Sequence, residues 1–222
     1  MPRRQIITTL VTPATPPTGG AAYDLTTLAA VKEELDITDN SKNSLLRRYI
    51  SGASAATAQE CNRVFPVETV KDEIFPHRDP TPGRVFGRFE PLILSRYPIV
   101  SVASVVENGV TLADGVDFRI DYEKGELIRL GVNGLPTLWS QASLVAVTFS
   151  AGFDPIPSDL EDAIIRMITK RYRAKGRDPT ITQQNIPGVL DQRFWFATGE
   201  DAGNMTPDVM DIINDYRVPL PM

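Results

Sequence analysis

Few residues in this chain are of a type that can carry chemistry. Among its 222 residues His77 is the only histidine and Cys61 the only cysteine. His77 stands in a proline-rich run beside Arg78 and Asp79. A general base needs a partner to orient it, and a metal site usually needs three or four ligands, so a lone loop histidine supplies neither. Cys61 falls on the apolar stripe of a helical segment, with no second histidine at hand. It reads as a buried, inert thiol rather than a nucleophile. Asp114, Asp117, Asp121, Glu123 and Glu126 are closely spaced. They coincide with hairpin turns, where acids favour solvent and local backbone bonding. They lack the spacing and sixth-position glycine of a calcium-binding EF-hand loop. No glycine-rich phosphate loop and no Gly-x-Ser-x-Gly elbow occurs. The expectation is no catalytic residue, no cofactor, no metal and no enzyme.

Two groups suggest binding instead. Lys170, Arg171, Arg173, Lys175 and Arg177 crowd the end of one helix. Cations there complement the helix dipole and can remain a solvated helix end. If the first four faced a channel, they would touch DNA phosphates without sequence preference. The second group is Phe194-Trp195-Phe196, an aromatic cluster in polar surroundings. It can fold back onto the domain's core or, with Val209, Ile212, Ile213 and Tyr216, form a candidate partner interface, because aromatic anchors dominate such contacts. The end of the chain then reads as a tail that orders on a partner.

Composition sets the frame for these groups. The hydrophobic fraction of 42% supports a real core. The net charge is −5, from 28 acids and 23 bases, which argues against a dedicated nucleic-acid binder. One cysteine permits no internal disulfide, and a reducing compartment fits. No apolar run reaches the roughly 18–20 residues of a membrane helix, so no membrane partner is expected. The run Ile6 to Val11 is too short and too rich in threonine for a signal peptide. Synthesis in the cytoplasm follows.

Residues 1–23 read as an arm, broken by Pro13, Pro16, Pro17, Gly19 and Gly20, with Ile6 to Val11 able to pair as an edge strand. Asp24 is the expected cap of a helix over 25–36, with Leu25, Leu28, Val31 and Leu35 on its stripe. A second helix runs to about Asn62 and is thin at Gly52, Ala53, Ala55 and Ala56, so another helix can approach closely. Residues 67–75 are strand-prone, and 76–91 form a loop. Strands follow near 92–96, 99–107, 116–121, 126–130 and 143–150. Asn108-Gly109 and Lys124-Gly125 mark hairpin turns. Ser158 with Glu161 is a candidate capping box for a helix to about Ala174. Residues 177–204 read as loop, and Thr206-Pro207-Asp208 opens a short last helix. From 181 onward there are six acids and two bases.

Several of these segments resemble those of a known family when taken in order. They are the helix pair from Leu25 to Asn62, Tyr-Pro-Ile-x-Ser-Val-x-Ser-Val at 97–105 and Gly-Glu-Leu at 125–127. Val-x-Phe-x-Ala-Gly-Phe at 147–153 and Ile-Pro-x-Asp-Leu-x-x-Ala-Ile at 156–164 complete the set. Together they resemble the head–tail connector, or adaptor, proteins of long-tailed bacteriophages and gene transfer agents. The resemblance spans roughly residues 24–180. It implies a helical bundle core with a β insertion. With the arms read from the residues, the expected fold is α+β, a small helical bundle with an inserted antiparallel β region and extended N- and C-terminal arms. The corresponding parts are an arm over 1–23 and a connector domain over 24–180. Within that domain, helices at 25–62 and 158–175 flank a β insertion at about 67–150. A C-terminal extension for partner docking covers 181–222.

The role implied is that of a structural neck protein in the virion. Such proteins form homo-oligomeric rings, commonly of twelve copies, beneath the portal. The ring extends the DNA channel, passes double-stranded DNA without sequence-specific binding, and links capsid to the next neck protein, a stopper or tail terminator. Two other classes compete from the residues alone. One is a helix-turn-helix using 25–62, for which Arg47 and Arg48 are the only paired bases on the second helix. The other is a β-sandwich ligand-binding domain. It would need a flat strip of exposed aromatic side chains, and Trp139 is the only tryptophan near the strands.

Overall fold

The computed structural model describes residues 5–17, 20–75, 91–140, 143–175, 183–186, 190–193 and 205–218. The fold is α+β, and the chain divides into two compact units. A β unit takes residues 1–15 and 64–155, and a helical unit takes 16–63 and 156–222. In sequence, the main segment of the β unit lies between the two halves of the helical unit.

The β unit holds two antiparallel sheets. Strands β1 (Ile6–Thr12), β2 (Glu68–Ile74), β4 (Ile99–Glu107), β5 (Val110–Thr111) and β9 (Val145–Ala151) form one, in the order β1-β2-β9-β4-β5. Strands β3 (Leu92–Ile93), β6 (Phe118–Asp121) and β7 (Glu126–Leu130) form the other, with β8 (Pro136–Thr137) paired to β7. One apolar core serves both sheets. It includes Val70 and Ile74 of β2, Leu92, Val105, Phe118 and Leu127, and Val145, Val147 and Phe149 of β9. Each such side chain contributes about 1.5–3 kcal/mol by leaving water.

Two turns follow directly from the residues that make them. Asn108 and Gly109 both take positive φ, 49° and 83°, as a type I′ hairpin turn requires. At Gly152, φ is 136° and an added Cβ would sit 2.7 Å from the backbone carbonyl carbon and oxygen of Pro66. Only glycine fits there. Its N–H donates to Pro98 O, and the next residue, Phe153, donates to Phe65 O.

The helical unit contains α1 (Leu28–Glu34), α2 (Asn43–Glu60), α3 (Ser158–Arg173) and α4 (Pro207–Asp215), with a hairpin of β10 (Gln183–Ile186) and β11 (Leu190–Arg193). Leu46, Ile50, Ala53 and Thr57 line the buried face of α2, and Leu160, Ala163, Ile164, Met167 and Ile168 that of α3. Both sets recur at helical spacing, as periodicity requires of a core-facing stripe. Of the small residues on α2, Ala53 is buried while Gly52 and Ala55 are exposed.

The structure alters several local expectations. Helix α1 starts at Leu28, capped by Thr27 Oγ1, which accepts from Ala30 N at 3.2 Å. Asp24 instead accepts from Ala21 N at 2.7 Å. Leu25 N donates to Ser54 Oγ at 3.0 Å, and Thr26 Oγ1 donates to Glu161 Oε1 at 2.8 Å. These tertiary bonds hold Leu25 and Thr26 outside the helix. The last one also engages Glu161, so the capping box at Ser158 does not form and Pro157 occupies the cap position. β10 and β11 lie where a loop was expected, because their polar sequences carry no alternating apolar signal.

Candidate functional site

The expected chemical groups prove structural where they are described. Cys61 is fully buried at the end of α2, with its Sγ 3.5 Å from Ile213 O. Burial pushes its thiol up to about 11, which removes the nucleophilic thiolate at neutral pH. Asp117 Oδ2 accepts from Ala113 N at 2.9 Å, and Asp121 Oδ1 accepts from Glu123 N and Lys124 N at 3.1 Å. These acids therefore shape turns. Among the described residues, no group of three or more His, Cys, Asp or Glu side chains is placed to hold a metal. None of the described helices is long and apolar enough to cross a membrane. His77 lies outside the described residues, as do Phe194, Trp195 and Phe196.

Trp139 is a core residue. It is 3% exposed, and its Nε1 donates to Leu127 O at 3.2 Å. The aromatic strip of a sugar-binding sandwich therefore has no contribution from it.

The C-terminal candidates divide into two sets. Val209 and Ile213 are buried within the helical unit, while Ile212 and Tyr216 are half-exposed. Polar contacts seat α4 and the residues after it on this chain's own helices. Tyr216 Oη donates to Asp159 at 2.8 Å, and Val218 N donates to Cys61 O at 2.9 Å. Arg217 pairs with Glu60 at 3.2 Å, and Arg166 bridges Asp162 at 2.6 Å and Asp208 at 3.4 Å. The phenol of Tyr216 is pushed up to about 12, first by burial and then by its bond to Asp159. Met210 and Ile212 are half-buried on the two flanks of the inward face of α4, and Asp208, Asp211 and Asp215 are exposed.

The candidate channel bases share one end of the helical unit. Lys170, Arg171, Arg173 and Lys175 are exposed at the last turns of α3. The Arg171 guanidinium lies over the Tyr49 ring, 4.4 Å from its centre, close to Gly52. The ring limits the excursions of the cation and leaves its charge facing outward.

One polar feature was not anticipated from sequence. β2 buries every second residue, and its buried positions include Glu68 and Asp72. Asp72 is fully buried and accepts three hydrogen bonds of 2.7 Å, from Thr8 Oγ1, Ser95 N and Ser95 Oγ. Glu68 accepts from Arg96 Nε at 3.1 Å. The pair anchors residues 95–96 and, through Thr8, the N-terminal strand. The only sequence signal was period-two spacing that put acids in phase with Val70 and Ile74.

Residues 25–81 match the family described as phage gp6-like head-tail connector proteins. No curated protein matches the chain. Solved structures of similar fold include a chain in the virion of a native gene transfer agent particle. It is 16% identical at a TM-score of 0.56, with 97% of each chain covered. A chain in the neck of a native gene transfer agent particle, computed with C12 symmetry, is 17% identical at a TM-score of 0.52. That match covers 96% of this chain and 97% of the other. A chain in the neck of an empty particle, computed with C6 symmetry, is 15% identical at 0.52, with 97% of each covered. The family match thus falls on the segment that holds α1 and α2, and the likeness of fold extends over nearly the whole chain.

Proposed function

We propose that this chain is a structural adaptor of a virion neck. Copies assemble as a ring beneath the portal, extend the DNA channel and join the capsid to the tail. The observation that carries this reading is a coincidence of two independent likenesses. The connector-family match falls on the segment holding α1 and α2. The fold of the chain as a whole is shared with neck chains of gene transfer agent particles. The geometry agrees with a role without chemistry, since the buried thiol and the turn-bound carboxylates are used in folding.

Within this reading the parts take different tasks. The exposed bases Lys170, Arg171, Arg173 and Lys175 face the lumen and meet DNA phosphates without sequence preference. The overall charge of −5 keeps passing DNA from adhering. The arm over 1–23 and the extension over 181–222 dock on neighbours around the domain over 24–180. Phe194, Trp195, Phe196 and the open face of α4 grip the portal, and the opposite rim meets a stopper or tail terminator. The ring has twelve copies. The chain is made in the host cytoplasm and functions in the virion.

Localisation in the particle tests this directly. Electron micrographs of necks carrying a tagged copy should place the tag at the portal–tail junction. A tag found elsewhere would overturn the adaptor reading. Trp195→Ala should weaken portal capture while leaving the melting temperature nearly unchanged. A large fall in melting temperature with intact capture would instead put Trp195 in the core.

A further inference from the structure

We infer that neighbouring copies join through their five-stranded sheets, with β1 of one copy pairing against the free part of β4, Val100 to Ser104, in the next. This rests on the ring reading above and names the contact that makes the ring.

The first observation concerns β1. Among the described residues it is hydrogen-bonded to β2 on one side only, and all seven of its own residues are exposed. Four of them are apolar, with Ile6 37%, Ile7 44%, Leu10 50% and Val11 55% exposed. An exposed apolar strand with an open edge is a template for another chain, and edges meant to stay single usually carry charge or proline. From Gln5 to Thr12 there is neither.

The second observation lies at the other end of the same sheet. β5 covers only Val106 and Glu107 of β4. At the strand's flanks, Val105 O accepts from Leu112 N, and Ile99 N donates to Tyr122 O. Between these points no strand lies on the outer side of β4 among the described residues. This stretch, too, lacks charge and proline, and Val100 is 53% exposed. Register shifts between Ile99 and Ser101 and between Val102 and Ser104 interrupt the strand. They suit it to one short, positioned partner rather than open-ended stacking.

The strand directions identify the occupant as a second copy. β1 is antiparallel to β2, β2 to β9 and β9 to β4. Three reversals leave β1 and β4 running in opposite directions. A copy set alongside with only a modest rotation therefore offers its β1 antiparallel to the free part of β4, which continues the alternation of the sheet. Such a contact uses two different surfaces, and repeating it with rotation closes a ring that leaves neither edge open.

Mixed-copy cross-linking of the full chain tests this. One population carries Thr9→Cys. Others carry a single cysteine at Val100, Ser101, Val102, Ala103 or Ser104. The native thiol at Cys61 is buried and does not compete. Disulfides demand Cα atoms within about 7 Å, and side chains alternate along a strand. Mild oxidation should therefore link unlike copies strongly at the one position that lies opposite Thr9, and weakly or not at all at the others. Ala103→Lys should reduce assembly by about tenfold, measured by mass photometry, by placing a charge on the open edge. Wild-type assembly without cross-links, or with equal cross-linking at every position, would overturn strand pairing and leave the ring intact. A wild-type chain that stays monomeric at all concentrations, with no cross-link, would overturn the ring and the contact together.

Discussion

The β unit buries a full carboxylate, whereas the helical unit buries mainly hydroxyls. Asp72 collects three hydrogen bonds from residues 23 and 64 positions away in sequence. In the helical unit Ser54 Oγ takes Leu25 N, and Thr57 Oγ1 lies 3.9 Å from Met167 Sδ. Among the described residues its one buried acid, Asp24, bonds locally to Ala21 N. The difference reflects what each unit must hold. Helices satisfy their own backbone and need only an apolar stripe to dock. The β unit must also fix an N-terminal strand and the irregular segment after β3, and directional bonds to a charged acceptor do that.

The largest test of this comparison lies in the backbone of the β unit. Gly152→Ala forces a Cβ to 2.7 Å from Pro66 backbone atoms at a φ of 136°. The loss should be about 4 kcal/mol or more, enough to unfold the β unit in many conditions. Hydrogen exchange should localise the loss to β2, β4 and β9. A mild effect spread evenly over both units would remove the distinction between them.

Much of this was legible in the sequence, and the exceptions share a cause. The Asn108-Gly109 and Lys124-Gly125 turns, the stripes of α2 and α3 and the pairing capacity of Ile6 to Val11 are local signals, and the structure contains them. Thr27 replaces Asp24 as the cap because Ser54 and Glu161, distant in sequence, bind the two residues between. The burial of Glu68 and Asp72 has no local signal beyond their phase with Val70 and Ile74, because their partners, Arg96 and Ser95, lie beyond a long intervening segment. Of the candidate interface on α4, Val209 and Ile213 turn inward, a choice set by α3 that periodicity alone could not assign.

Core truncation comes next in size. Ile213→Ala should cost the helical unit about 3 kcal/mol through a cavity between α4 and its neighbours. Denaturant unfolding followed by exchange in α3 and α4 would measure it. Exchange unchanged in α3 would show α4 to be a loose appendage, as a tail that orders only on a partner would be.

Asp72→Ala should destabilise the β unit by about 2–3 kcal/mol, since it removes the one charged acceptor shared by Ser95 N, Ser95 Oγ and Thr8 Oγ1. Asp72→Asn keeps acceptor geometry at one oxygen and should cost less. If Asp72→Ala proved neutral, the buried acid would not be what holds the irregular segments, and the contrast with the helical unit would fail.

The smallest effect separates the units by pH. Tyr216→Phe removes the bond to Asp159 and should cost the helical unit roughly 0.5–1 kcal/mol at pH 8. The phenol is raised from 10.0 to about 12, and the thiol of Cys61 from 9.0 to about 11. A group whose folded-state pKa is raised holds its proton more tightly in the folded chain. Its contribution is therefore complete below the unfolded value and is lost as pH climbs through the folded one. The helical unit should weaken from about pH 9 onward through both groups. The advantage of wild type over Tyr216→Phe should shrink between about pH 10 and 12, because ionised Tyr216 can no longer donate to a carboxylate. Stability curves for the two proteins at pH 8, 10 and 12 would show the lines converging. Parallel lines would mean that Tyr216 contributes by packing alone, and that the end of the chain is held on its helices by Ile213 and Val209 rather than by the phenol.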